Sequence, residues 1–274
     1  MILSPSVEPS SASFAPVMQA RDGLLARIEE ASLNATAVRE QVFYDGWLLR
    51  RAPSPARRMR SVNILGLSTR ALDERLAYCL GWYARADLPL ILRLTSIGPD
   101  FELDAALAAR GYEGYDPTSV MTAAITPMTS PVESSGITFQ QVPVQRFATE
   151  VGRLKGSSEA AVAEHTARLS GLMVDLVPLL ACQSDGTPVA AALGVIEDDL
   201  LGIFDVVTLP AQRRRGYGTA LMVRLLDEAR RRDCRHAYLQ VETGNTAARA
   251  LYARYGFVDS YSYWYRSLPA AAQQ

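Results

Sequence analysis

Residues 202–266 read GIFDVVTLPAQRRRGYGTALMVRLLDEARRRDCRHAYLQVETGNTAARALYARYGFVDSYSYWYR. A β-branched apolar run from Ile203 to Thr208 stops at Pro210, and the chain passes through Arg213-Arg214-Arg215-Gly216-Tyr217-Gly218. It then enters a segment with apolar residues at Leu221, Leu225, Leu226 and Ala229. That is a strand, a glycine-containing turn and a helix. Two glycines let the backbone approach a ligand closely, and the helix N-terminus beyond them presents free N–H groups and a positive dipole end. Such a turn suits phosphate, and three adjacent arginines favour a pyrophosphate over a single carboxylate.

Two phosphate-binding alternatives fail on spacing. A Walker A loop needs a lysine after its last glycine, and none follows Gly216 or Gly218; a dinucleotide fingerprint needs a third small residue where Leu221 stands. What fits is R-x-x-G-x-G from Arg213 to Gly218, followed by a strand at Ala237 to Val241 and then by Asn245, Ala247-Ala248, Leu251-Tyr252 and Tyr255-Gly256-Phe257. The pair of motifs resembles the pyrophosphate loop and the second signature, N-x-x-A-x-x-L-Y-x-x-x-G-F, of the GNAT superfamily of acyl-CoA-dependent N-acyltransferases. The resemblance implies an α/β (α+β) fold with a mixed, mostly antiparallel sheet flanked by helices, and acetyl-CoA as co-substrate.

At 274 residues the chain exceeds one average domain, so two are expected. A net charge of −1 argues against a nucleic-acid partner. Cys79, Cys182 and Cys234 are far apart and odd in number, which suggests neither a disulfide framework nor a zinc site and fits a reducing cytoplasm. No apolar run approaches the roughly 18 residues of a membrane span. Residues 1–16, rich in Ser and Pro, are expected to be a disordered leader, and 127–136 (PMTSPVESSG) a linker. The intervening order of expected elements is helix (Asp22 to Leu33), strand-like runs (Gln41 to Arg51 and Arg60 to Leu67), helix (Thr69 to Ala86), strand (Leu90 to Leu94), short helix (Leu103 to Ala109) and strand (Ser119 to Ile125). The expected long helix places Leu72, Leu76, Leu80 and Tyr83 on one side.

That order follows the GNAT core, and LAARGYE (Leu107 to Glu113) lies over YARYGFV (Tyr252 to Val258), matching Gly111 to Gly256. The arginine loop has no counterpart between Asn63 and Thr69, and Leu107 falls opposite Tyr252. Residues 17–126 are therefore expected to form a degenerate GNAT-like domain without its own cofactor site, or else an unrelated α/β cap. Residues 137–266 are expected to form an acetyl-CoA-binding domain able to bind the co-substrate by itself, with 267–274 as a tail.

Carried onto these residues, the resemblance implies that Val206, Val207 and Thr208 pair their backbone with the pantetheine arm. Arg213, Arg214, Arg215, Gly216, Tyr217, Gly218, Thr219 and Ala220 would cradle the pyrophosphate. For Arg214 and Arg215 a solvated surface charge is an equal alternative. Asn245 and Ala248 would meet the pantetheine, although an asparagine there also serves as a helix N-cap. Tyr252 would protonate the departing thiolate, since a phenol with a pKa of about 10 stays protonated at neutral pH; its alternative is a packed aromatic. Asp205 and Glu242 lie near the expected parting of strands and are the candidate bases, although an Asp or Glu beside a strand end is more often a solvated or capping group. Arg230-Arg231-Arg232 at a helix C-terminus reads as structural, or at most as lying near the cofactor's phosphates. His165 and His236 have no partner motif. Tyr261, Tyr263, Trp264 and Tyr265 could line an acceptor pocket or fill the sheet core.

The reading is a tandem GNAT-like N-acetyltransferase, monomer or homodimer, acting on an amine acceptor with neither nucleic acid nor membrane as partner. Its rivals are transfer of a longer acyl or aminoacyl group, and a non-catalytic acyl-CoA-binding regulatory module.

Overall fold

The structure, a computed structural model, describes residues 15–54, 56–126 and 136–269, with side chains from residue 23 onward. Most of the expected leader, the linker up to residue 135 and residues 270–274 of the tail lie outside the described residues. The elements are α1 (Ala15–Asn34), β1 (Glu40–Tyr44), β2 (Trp47–Arg51), β3 (Val62–Ile64), α2 (Leu72–Ala84), β4 (Leu92–Thr95), α3 (Leu103–Ala108) and β5 (Glu113–Ala124). Then follow β6 (Ile137–Gln141), α4 (Val144–Lys155), α5 (Glu159–Ser170), β7 (Asp175–Gln183), β8 (Pro188–Glu197), β9 (Leu200–Thr208), α6 (Tyr217–Arg231), β10 (His236–Glu242), α7 (Thr246–Ala253) and β11 (Val258–Ser267).

Local chemistry accounts for most boundaries. Helix α4 buries Phe147, Val151 and Leu154 at helical spacing and stops at Gly156, whose φ of 69° only glycine adopts without strain. The Ser158 side chain then accepts from the Ala161 N–H and starts α5. Two expectations are corrected. Gln41 to Arg51 is a hairpin rather than one strand, because Asp45 (φ 45°) and Gly46 (φ 81°) supply the paired left-handed residues of a tight two-residue turn. Leu80 is 43% exposed while Cys79 takes the core position. Successive i+4 steps each rotate about 40° further, so the third member of 72, 76, 80 has turned off the face that 76, 79 and 83 share.

The eleven strands of the described residues form one sheet in the order β1-β2-β3-β4-β11-β5-β10-β9-β8-β7-β6. Only β3 with β4 and β9 with β10 pair in parallel, joined across α2 and α6 respectively. The two halves thus repeat one plan, hairpin strands followed by two helical crossovers, and they exchange their last strands. β5 of the first half lies between β10 and β11, and β11 of the second half lies between β4 and β5. The sheet of residues 137–266 therefore does not close on its own chain.

Side chains sort onto the two faces by alternation. On β10, Ala237, Leu239 and Val241 join the core beneath α6 and α7, while Tyr238 faces the cluster beneath α1. Helices α2 and α3 cover the first face over the N-terminal half, and α4 and α5 cover the second over the C-terminal half. Helix α1 straddles the centre through Leu25, Ile28 and Ala31, with Glu29 and Arg93 forming a buried ion pair beneath it. The Tyr261 hydroxyl donates to Glu29 at 2.7 Å and Arg93 stacks over Tyr263 at 4.0 Å, so one buried cluster ties α1, β4 and β11 together. Among the described residues no helix is long and apolar enough to cross a membrane.

Candidate functional site

β9 and β10 pair from Leu200↔His236 to Ile203↔Leu239 and then part. The cause lies in β9. Leu193 faces Phe204 while Ala191 faces Val207, so Ala192 alone opposes Asp205 and Val206, and this bulge is formed with Asp205 at φ 49°. A bulge bends its strand and increases local twist. β10 continues on its other edge against β5 as far as Glu242↔Thr118. The facing edges of Val206 to Thr208 and of Gln240 to Glu242 are left without ladder partners on that side.

The glycine turn adjoins this gap. Pro210–Gln212 form a single tight helical turn, Arg214 and Gly216 take φ of 62° and 80°, and α6 starts at Tyr217. A Cβ placed on Gly218 would lie 3.7 Å from Thr208 Oγ1 and 3.8 Å from Val206 Cγ1, so the first turn of α6 stands directly over the freed part of β9. The N–H of Ala220 bonds to the Gly216 carbonyl, but those of Tyr217, Gly218 and Thr219 have no acceptor among the described residues. Arg213, Arg214 and Arg215 are exposed and paired with no described carboxylate, whereas Arg230 and Arg231 bond to Asp227 and Arg231 and Arg232 to Glu228. An open row of N–H groups with three free guanidiniums beside a strand edge fits a pyrophosphate followed by an extended amide chain.

In the N-terminal half the loop that leads into α2 is bonded to the β1–β2 turn. The Asp45 carboxylate accepts from the N–H of Thr69 at 3.0 Å and of Arg70 at 2.9 Å, and from Thr69 Oγ1 at 2.8 Å, just ahead of α2. These donors hold its pKa below the usual carboxylate range. The Gly46 carbonyl takes the N–H groups of Leu65 and Gly66, the stretch that follows β3 as 206–208 follow the paired part of β9. A Cβ on Gly46 would come 2.7 Å from the Leu67 carbonyl oxygen, so the turn could not sit there with any other residue.

Asn245 caps α7, its Oδ1 accepting from the Ala248 N–H at 3.1 Å. Tyr252 is half-buried, with its ring 6.2 Å from that of Phe257, and its hydroxyl has no partner among the described residues. Burial pushes its pKa up. Glu242 is exposed at the open end of the gap and forms no ion pair among the described residues. The Asp205 side chain meets Lys155 Nζ at 2.7 Å and His165 Nε2 at 3.1 Å. Burial opposes its ionisation, but His165 and the charge of Lys155 outweigh that and hold the carboxyl well below its usual range. His165, without a partner motif in sequence, thus has one across the fold. Tyr261, Tyr263 and Tyr265 are buried beneath α1, and Trp264 on the opposite face donates to Asp104 at 2.6 Å, so these aromatics are sheet core.

Residues 157–257 match the model of the acetyltransferase (GNAT) family. The chain carries a GNAT acetyltransferase domain. Over 73 residues it is 34% identical to the [ribosomal protein bS18]-alanine N-acetyltransferase of Escherichia coli (strain K12), covering 27% of this chain and 49% of that protein. The chain spans about half the length of the curated relatives it matches. Two solved structures share the fold across nearly the whole length. One is a GCN5-related N-acetyltransferase from Kribbella flavida, with a TM-score of 0.69 at 18% identity, covering 89% of this chain and 95% of that one. The other is a tandem GNAT protein from the clavulanic acid biosynthesis pathway, with a TM-score of 0.61 at 14% identity, covering 96% and 98%. The two GNAT-like halves joined in one mixed, mostly antiparallel sheet are therefore an architecture this chain shares with solved proteins.

Proposed function

We propose that the protein is an N-acetyltransferase that moves an acetyl group from acetyl-CoA to a primary amine, at a single site in its C-terminal half. The observation that carries this reading is the parting of β9 from β10 beneath the open first turn of α6. The pantetheine arm would add to the free edge of Val206, Val207 and Thr208, and the pyrophosphate would take the N–H groups of Tyr217, Gly218 and Thr219, with Arg213 to Arg215 around it. Asn245 and Ala248 would flank the arm from the start of α7. The choice of acetyl rests on the relatives, which are acetyltransferases.

In the transfer, the neutral amine nitrogen attacks the thioester carbon, an N–C bond forms, the C–S bond breaks, and the amine loses one proton while the thiolate gains one. Tyr252 supplies the proton to sulfur. Its raised pKa keeps the phenol protonated at neutral pH, and an unpartnered hydroxyl is free to turn toward the leaving atom. Of the two carboxylates near the gap, Asp205 is held by Lys155 and His165 and is a poor proton acceptor. Glu242 is the one left open. The N-terminal half is assigned no second molecule of acetyl-CoA, because the stretch between β3 and α2 lacks the R-x-x-G-x-G turn and its Thr69 and Arg70 N–H groups are bonded to Asp45.

Titration calorimetry of the full chain with acetyl-CoA tests this: one site per chain is expected. At about 100 times Kd the ligand adds roughly 2.7 kcal/mol to stability. For a chain of this size that raises the melting temperature by roughly 5–10 °C. No melting shift at millimolar acetyl-CoA would refute the reading, and two equivalent sites would refute the single-site claim.

A further inference from the structure

A cavity of about 680 Å³ lies between the two halves on the face of the sheet that carries α1, α4 and α5. One wall is α5, through Ala163, Glu164, Ala167 and Arg168; the other is the β1–β2 hairpin and the segments flanking it, including Val38 and Pro53. Most of that lining is small and apolar. Its charges are not evenly satisfied. Glu40 and Arg51 neutralise each other, with Arg51 Nε 2.7 Å from Glu40 Oε2. Arg168 does not find a carboxylate. Its Nη1 makes a long 3.4 Å bond to the Ala35 carbonyl, and its Nε is buried without a partner.

Arg58, from the loop between β2 and β3, is half-buried and likewise has no hydrogen-bond or ion-pair partner among the described residues. It does not line the cavity itself, but its charge reaches Arg168. Burial penalises the Arg168 charge more than Asp205 and Glu164 support it, and Arg58 adds repulsion, so this guanidinium with its unbonded Nε is complementary to an anion. Glu164, one turn before Arg168 on α5, is the single unpaired carboxylate of the wall and limits how much negative charge the cavity can accept.

The cavity also connects to the transfer site. Arg168 lies one helical turn from His165, and His165 meets Asp205 at the bulge where β9 leaves β10. The Asp205 charge reaches Arg168 itself. We infer that this cavity takes the acceptor, and that the acceptor is a small amine carrying a carboxylate: Arg168, assisted by Arg58, holds the carboxylate, and the amine points along α5 to the β9 bulge. The inference rests on the acyl-transfer reading above and adds the class of acceptor. A free carboxylate on a planar guanidinium accepts two parallel hydrogen bonds, which a carboxamide of the same shape cannot do.

The test uses the full chain loaded with CoA and a set of N-acetyl amino acids, the products such acceptors would give, each paired with its carboxamide. Calorimetry should find the acids binding at least tenfold more tightly than the carboxamides. Arg168→Gln should remove that preference, while CoA affinity stays within about twofold, and Arg58→Gln should reduce it in the same direction. In turnover with acetyl-CoA and thiol detection, free amino acids should exceed their carboxamides in kcat/KM by a similar factor, and Arg168→Gln should bring the ratio toward one through KM. Equal binding of acids and carboxamides overturns the inference, as does a preference that survives both substitutions or a panel in which no amino acid binds or reacts. If Arg168→Gln does not fold, Arg58→Gln decides. Failure of CoA itself to bind refutes the acyltransfer reading instead, so the two failures are distinct.

Discussion

Severing the halves should abolish the fold of the C-terminal one, because its sheet is completed by a strand it does not contain. β5 is paired with β10 from Ala124↔His236 to Thr118↔Glu242, and with β11 from Thr122↔Val258 to Glu113↔Ser267. A chain of residues 136–269 would keep β10 and β11 but lose the strand between them. Each backbone bond contributes a net of about 1 kcal/mol, so stripping both ladders costs on the order of 10 kcal/mol. Val120 and Met121, 0% and 3% exposed, bring apolar contacts that are lost as well. At roughly 1.5–3 kcal/mol for each large side chain, that loss adds to the first. The sum equals the whole stability of a typical domain, about 5–15 kcal/mol. Expressed alone, residues 136–269 should show no cooperative melt and no acetyl-CoA-dependent shift. Co-expressed with residues 1–135 as a separate chain, they should regain both. A lone fragment that melts cooperatively near the temperature of the full chain and binds acetyl-CoA would refute the reasoning, since β10 and β11 would then pair without β5.

Tyr252→Phe removes only the hydroxyl from a half-buried ring, so acetyl-CoA affinity and melting temperature should hold while turnover falls by roughly 10²-fold, the scale of general acid catalysis; unchanged turnover with chemistry rate-limiting would return Tyr252 to a packing role. Gly216→Asp and Gly216→Asn both place a side chain at φ 80°, where a Cβ meets open space, so each should lose about 1 kcal/mol of stability. Only the aspartate sets a negative charge against the pyrophosphate, and calorimetry should find acetyl-CoA binding weakened far more by Asp than by Asn. Glu29→Ala leaves Arg93 buried without its carboxylate and should destabilise by about 3–5 kcal/mol in denaturant titration. Burial opposes ionisation of Glu29, but Arg93 prevails and its folded pKa lies below the ordinary value of 4.5. The stabilisation is therefore complete above pH about 4.5 and is lost as pH falls through the folded value. In the variant, this part of the acid limb of a stability-versus-pH curve should flatten.

Local chemistry made the C-terminal half legible. The glycines at 216 and 218, the stop at Pro210 and the 3.6-residue spacing of α6 are written in neighbouring residues, and so is the role of Asn245 as a cap. The hairpin at Asp45-Gly46 was equally local, and that dipeptide was its signal. What the sequence could not carry is anything set by pairing between residues far apart. Which strand lies beside which depends on backbone hydrogen bonds common to every residue type, so nothing in β5 or β11 announces that the two exchange places. The bonding of the Thr69 and Arg70 amides by Asp45 depends on a turn carboxylate meeting a loop more than twenty residues away. The engagement of Asp205 by Lys155 and His165, and the unpaired state of Arg58 and Arg168, depend on where α4 and α5 dock over the sheet. Residue identity and spacing determined that a glycine turn opens α6; only the packing of the two halves decided that β9 parts from β10 beneath it and which side chains line the cavity between the halves.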